Sequence, residues 1–336
     1  MGKRPTISDV AVAAGVSTGT ASKALNGVGR LHPETRQAVL DAAAALGFIH
    51  RQRGGSVMGS RSYTVGLLTT DSFSRFASPI MLGVEDALGA GQISVLLADG
   101  RGDAIREQHH VQTFLARRVD AIIVTGRRSE PRPPIGKNLP VPVCYVLSRS
   151  QRCEDLSIVI DDEQGARLAI SHLVSLGRKR VAYVTGPEKH LSARLRQSGT
   201  VAELRKHGLK PVEHPAVWGE WSEAWGRQAA GILQRSGAVF DAVFCGSDQI
   251  ARGMVEQLQY LGRRVPEDVS VVGFDDWDVI ALASRPALTT VDPQLADLGR
   301  IAAGLILRSL AGERLSGLAK HDCRLVVRDS TSLVAE

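Results

Sequence analysis

From Tyr63 onward the chain alternates short apolar runs with longer helical stretches, and it does so twice over. Such punctuation specifies parallel strands joined by crossover helices, because a strand buried on both faces needs a continuous apolar run and a helix to return the chain. The first set is Val65-Gly-Leu-Leu-Thr69, Ile93-Ser-Val-Leu-Leu97, Ala121-Ile-Ile-Val124 and Val143-Cys-Tyr-Val146. The second is Ile158-Val-Ile160, Val181-Ala-Tyr-Val184, Ala242-Val-Phe244 and Val269-Ser-Val-Val-Gly-Phe274, separated by helical stretches such as 164–176 and 222–235. Two similar α/β halves are expected. Open parallel sheets bind ligands beyond the carboxyl ends of their strands, so two facing halves make a cleft lined by loop residues.

Ahead of this body, the spacing predicts three short helices. Thr6-Ile-Ser-Asp9 reads as a capping box, and Ile7, Val10, Ala11 and Ala14 recur at helical spacing. Gly15 supplies a left-handed turn, Ser17 caps a second helix running to about Leu25, and a third begins at Pro33 and stops at Gly47. Two helices joined by a short turn containing glycine form a helix-turn-helix, whose second helix enters the DNA major groove by its N-terminal residues. These are Thr18, Gly19, Ala21, Ser22 and Lys23, with Lys23 the candidate for a guanine contact. Ser17 and Thr20 suit phosphate positioning. A plain three-helix scaffold with a solvated basic face is the bland alternative. Gly15-Val16-Ser17-Thr18-Gly19 also fits the nucleophile-elbow pattern, but that motif needs a strand before the serine and here a helix is expected.

Charge favours the DNA reading. The chain of 336 residues carries 41 Lys and Arg against 35 Asp and Glu, a net charge of +6. Eight of the basic residues but only three of the acids fall within residues 1–61, so nearly all the excess sits in the first fifth. Hydrophobic residues at 43% and charged residues at 23% describe an ordinary soluble chain. No apolar run approaches the ~20 residues of a bilayer span and the first residues lack the apolar core of an export signal, so a cytoplasmic protein without membrane partners is expected. Cys144, Cys153, Cys245 and Cys323 are too scattered for a zinc ribbon or a disulfide framework and read as reduced, mostly core thiols. No metal, cofactor or catalytic set is expected: the dinucleotide, phosphate-loop and zinc-protease motifs are absent, and His109-His110 reads as a solvated helix face.

Thr6-Ile-Ser-Asp-Val-Ala-x-x-Ala-Gly-Val-Ser-x-x-Thr-Ala-Ser-Lys-x-Leu-Asn26, with Pro33-Glu-Thr-Arg36 and Leu46-Gly-Phe48, resembles the head of the lactose/galactose repressor (LacI/GalR) family, and the resemblance runs on over the whole chain. It implies an α/β protein with a helix-turn-helix head at 1–48, a hinge at 49–62, and a two-subdomain body like the periplasmic binding proteins. The subdomains would be 63–161 plus about 293–320, and 162–292 plus about 321–336. It implies a homodimer that binds a pseudo-palindromic double-stranded operator, acts as a repressor and answers to a small, sugar-like effector. Thr6 and Asn26, at the ends of the motif, join Ser17, Thr18, Gly19, Thr20, Ser22 and Lys23 as expected DNA contacts. Val57 matches the hinge leucine that the family inserts into a minor-groove step. Gly54 and Gly55 replace the usual helix formers there and cost roughly 2 kcal/mol against alanine, so the hinge helix is expected to form only on DNA.

In the body, the residues themselves single out Asp71, Phe73, Phe76, Asp161-Asp162, Arg194, Arg196, Trp221, Ser247-Asp248 and Asp275-Asp276 as loop positions fit for a hydroxyl-rich ligand. Asp161-Asp162 and Ser247-Asp248 would equally serve as helix caps, and Trp221 as core. The resemblance makes Arg196 and Asp275 similar to the family's effector-binding arginine and aspartate, and sets Phe73, Phe76, Trp221 and Ser247 along the pocket. Ser247 replaces a common asparagine, Leu147 a common acid, and Asp292-Pro293 a common Arg-Gln. A transport receptor lacks support from the basic head, and a small-molecule enzyme lacks an activated nucleophile.

Overall fold

Thr6 starts the first helix, α1 (Ile7–Ala13), through a reciprocal cap: its Oγ1 accepts from the Asp9 amide at 3.4 Å while its own amide donates to Asp9 Oδ2 at 2.7 Å. Gly15, at φ +65°, then turns the chain, and the Val16 amide donates to Ala11 O at 3.0 Å to close the turn. The Ser17 hydroxyl accepts the Thr20 amide at 3.1 Å and opens α2 (Thr18–Leu25). Pro33 occupies the first turn of α3 (Pro33–Ala45), where its missing N–H costs nothing. Val10, Ala11, Ala21, Ala24, Val39 and Ala43 form the buried centre, and their small side chains let three short helices approach closely. A helix rather than a strand precedes Ser17, so the nucleophile-elbow pattern has no structural basis.

The computed structural model describes residues 5–25, 31–46, 48, 64–71, 75–89, 94–212 and 216–331, and divides the chain into two units, 1–60 and 61–336. Asn26, Gly47, Phe73 and the hinge residues 49–62, with Val57 and the paired glycines, lie outside the described residues.

The second unit has two lobes. In the first, β1 (Thr64–Thr69), α4 (Ala77–Leu88), β2 (Ser94–Asp99), α5 (Ala104–Ala116), β3 (Ala121–Thr125), β4 (Pro131–Arg132), β5 (Val143–Val146), β6 (Arg149–Ser150) and β7 (Leu156–Ile160) follow in order. The chain then builds the second lobe with α6 (Asp162–Ser175), β8 (Val181–Thr185), α7 (Leu191–Lys206), β9 (Val217–Trp218), α8 (Glu223–Arg235), β10 (Ala242–Cys245), α9 (Asp248–Tyr260), β11 (Ser270–Phe274), α10 (Asp278–Ala281) and β12 (Thr289–Asp292). It returns to the first lobe for α11 (Leu295–Leu310) and β13 (Gly317–His321), and crosses once more to end in β14 (Arg324–Val326).

The first sheet runs β13-β7-β5-β3-β1-β2, parallel throughout, with Val65 opposite both Val95 and Ala121. The second runs β14-β12-β11-β10-β8-β9, parallel except where β14 pairs antiparallel with β12. Strands β3, β7, β8, β10 and β11 are buried along their whole length, which is why they are mostly apolar and lack the alternation of a half-exposed strand. Cys144, Cys245 and Cys323 are buried and Cys153 is exposed, with no bond between them. Among the described residues no helix is long and apolar enough to cross a membrane.

Candidate functional site

Two places gather the polar residues that the sequence singles out, one in each unit. In the head, Ala21 and Ala24 point α2 into the core, which leaves Ser17, Thr18, Gly19 and Lys23 exposed and Thr20 and Ser22 half-buried. Thr18 and Ser22, four residues apart, share one side of α2, and Lys23 is exposed a step further round the helix. The Ser17 and Thr20 hydroxyls lie 2.9 Å apart, so each spends part of its hydrogen-bonding capacity on the other while keeping an open side. Thr6 is exposed at the start of α1.

In the body, the charged residues meet at the carboxyl ends of the strands. Arg196 is on the second turn of α7 and not in a loop as its sequence context suggests; its side chain is 7% exposed. Its Nε donates to Asp162 Oδ1 at 2.8 Å and its Nη1 to the Gly246 carbonyl, and its guanidinium lies 3.4 Å from the centre of the Phe274 ring. Burial lifts the Asp162 carboxyl above its ordinary range, and the Arg196 charge draws it back. Asp162 Oδ2 is buried without a hydrogen-bond partner. Arg194, two residues away, is exposed and donates to the Glu188 carbonyl, outside this cluster.

The adjacent carboxylates separate cleanly. Asp161 caps α6, accepting from the Gln164 amide at 3.1 Å, whereas Asp162 turns to the arginine. Ser247 caps α9 by accepting from the Ile250 amide at 3.3 Å and is 3% exposed, so the capping role open in the sequence is realised there. Asp248 accepts from the Thr290 hydroxyl at 2.5 Å and the Trp277 amide at 2.7 Å; burial, then the nearby Asp275 charge, raise its carboxyl well above the ordinary range. Asp275 and Asp276 both hold positive φ, +113° and +45°, a conformation that costs energy for residues with a Cβ and persists only where surroundings enforce it. Asp276 pairs with Arg328 at 2.7 Å, while Asp275 meets Arg75 from the first lobe.

Trp221 is half-buried with one face on Gly186, where a Cβ would come within 2.2 Å of the ring. Its indole N–H donates to His190 Nδ1 at 2.7 Å, which fixes the neutral tautomer with hydrogen on Nε2, and burial lowers the histidine's affinity for a second proton. Phe76 precedes α4, and its amide donates at 2.7 Å to Asp71, a buried carboxylate that thereby serves as a cap. On the first lobe, Thr125 Oγ1, Glu130 Oε2 and Ser148 Oγ are buried without hydrogen-bond partners among the described residues. Sequence reasoning missed Arg75, Glu130, His190 and Trp277, and only their neighbours, Phe76 and the Asp275-Asp276 pair, gave a signal. Among the described residues no group of His, Cys, Asp and Glu has the makings of a metal site.

Two family models match: bacterial regulatory proteins of the lacI family over residues 6–50, and a periplasmic binding protein-like domain over residues 170–331. The chain is similar to the transcriptional repressor CytR of Escherichia coli K12, 30% identical over 97% of this chain and 96% of that protein. It superimposes on the lac repressor dimer bound to operator and the anti-inducer ONPF with a TM-score of 0.79 at 28% identity, covering 98% of this chain and 99% of the other. A complex of the regulator CelR with cellobiose matches with a TM-score of 0.67 at 29% identity, over 97% and 100% of the two chains.

Proposed function

The chain belongs to the LacI family of bacterial regulatory proteins, and from that premise we propose that it is a cytoplasmic repressor whose hold on an operator is set by a sugar-like effector. The observation that carries the DNA half is the outward face of α2: Ser17 caps the helix, and Thr18, Gly19, Ser22 and Lys23 project from its first turns. Lys23 reads a base, Thr18 a base or a thymine methyl, and Ser17, Thr20 and Thr6 hold phosphates. Asn26 and Val57 complete the DNA contacts. A homodimer supplies two half-sites, and hence a pseudo-palindromic operator.

The effector half rests on Asp162, a buried carboxylate with one oxygen bound to Arg196 and the other without a partner. A polyol offers hydroxyl donors to such oxygens and a C–H face to Trp221, Phe73 and Phe76. Arg196 and Asp275 bind it from the second lobe, and Ser247 lines the floor through its backbone. The head at 1–48, the hinge at 49–62 and the two interleaved subdomains of the body then divide the labour between DNA and ligand. Selection of the purified protein against a random duplex library, followed by titration of the winner and its scramble, tests this. The expected winner is palindromic and binds at least ~10³-fold tighter than its scramble. Lys23→Ala should erase that preference while leaving weak, salt-sensitive binding; an unchanged preference refutes the base-reading role.

A further inference from the structure

Arg75, just ahead of α4 in the first lobe, reaches the second lobe with its side chain. Its guanidinium pairs with Asp275, and the two side chains are only 15% and 10% exposed. The same guanidinium lies 4.4 Å from the centre of the Trp277 ring and 4.8 Å from that of Phe76, so it is stacked as well as paired. A charge this far from water is screened little by salt and has few other places to go. A second tie runs in parallel: the amide of Leu191, first residue of α7, donates at 2.7 Å to Glu130 Oε1 of the first lobe. Asp275 itself stands in a strained backbone conformation, which the fold maintains at the point where the opposite lobe touches it.

The geometry points to Arg75 as a tethered occupant of the Asp275 subsite: a cation belonging to the chain that holds the two lobes together when no effector is bound. This role rests on the reading of the cleft as an effector site, although closure by Arg75 can be measured without any effector. An effector reaches Asp275 either by sliding a hydroxyl between carboxylate and guanidinium, donating to one and accepting from the other, or by displacing Arg75. A neutral polyol can do the former. A cationic ligand can do neither cheaply, because Arg75 is tethered to the carboxylate it would pair with, and the neighbouring carboxylate, Asp162, is already paired with Arg196. Arg75 is thus a specificity-determining residue that selects uncharged or acceptor-rich ligands and sets the resting separation of the lobes.

Hydrogen exchange on the full chain, with neither operator nor effector, tests it through the Leu191 amide, whose acceptor is on the other lobe. Arg75→Ala and Asp275→Asn should each speed exchange at Leu191 by about tenfold or more, while sheet amides such as Ile123 and Val243 keep their wild-type rates. Methylguanidinium added at millimolar concentration to Arg75→Ala should slow Leu191 again, and Arg75→Lys should fall between alanine and wild type. Unchanged Leu191 exchange in both variants overturns the proposal. So does acceleration at Leu191 that Ile123 and Val243 share, since that is a folding defect, or acceleration that methylguanidinium leaves untouched. None of these readings depends on whether the effector is a sugar, so the latch and the ligand assignment fail separately.

Discussion

Asp248 shows how a single carboxyl behaves when the fold removes its water. It is fully buried at the start of α9 with the Asp275 charge nearby, and these two effects outweigh the hydrogen bonds it accepts from Thr290 and Trp277, so its protonated form is favoured in the folded state. A group whose folded pKa is raised contributes stability that is complete below its unfolded pKa and is lost as pH rises through the folded one. Wild-type stability should therefore decline from the ordinary carboxylate range upward. An Asp248→Asn side chain would mimic the neutral acid at every pH, its oxygen accepting from the Trp277 amide and its own amide donating to the Thr290 hydroxyl. We expect the melting temperature of Asp248→Asn to gain on wild type steadily between about pH 4 and pH 8. Parallel melting curves across that range would mean that Asp248 is ionised in the fold. The sequence marks Ser247-Asp248 only as a polar pair after a strand; that one caps a helix and the other loses its charge depends on Thr290, which is 42 residues away.

At the scale of elements, the head is legible because each boundary has a local chemical cause. Thr6 with Asp9, Gly15, Ser17 and Pro33 each mark a helix end within a few residues of the atoms they bond or the angle they adopt. Ser17→Ala removes the hydroxyl that accepts the Thr20 amide, a loss of about 1 kcal/mol for a helix cap. Amides of Ala21 and Ala24 should then exchange about fivefold faster, with those of the body sheets unaffected. Equal rates would show that packing of Ala21 and Ala24 against Val39 holds α2 without its cap. The long body strands are legible for a related reason, since burial on both faces writes itself as an apolar run. The two-residue strands β4, β6 and β9 are not, because two residues have no period. Nor is β14, whose antiparallel pairing with β12 spans a return through the other lobe.

For the whole molecule, function requires the effector cleft and the DNA-binding head to bias one equilibrium. Arg196 and Asp162 are legible as chemistry, yet nothing local in the sequence joins them to each other or Arg75 to Asp275, 200 residues away; only the interleaved topology does so. Linkage supplies the prediction. If effector binding alters operator affinity by some factor, operator must alter effector affinity by the same factor, because the two routes around the cycle share their end states. Arg196→Lys keeps a cation beside the buried Asp162, which an alanine would leave unpaired at a cost of several kcal/mol, but it loses the fork that reaches Asp162 and the Gly246 carbonyl together. Operator affinity without effector should stay within about threefold of wild type, while effector affinity should fall by about tenfold or more. The coupling factor, measured from both directions, should remain equal to itself in wild type and variant alike. If Arg196→Lys instead weakens operator binding and leaves the effector response whole, the arginine belongs to the scaffold of the second lobe, and the ligand must be sought against Asp275 and the aromatic residues around it.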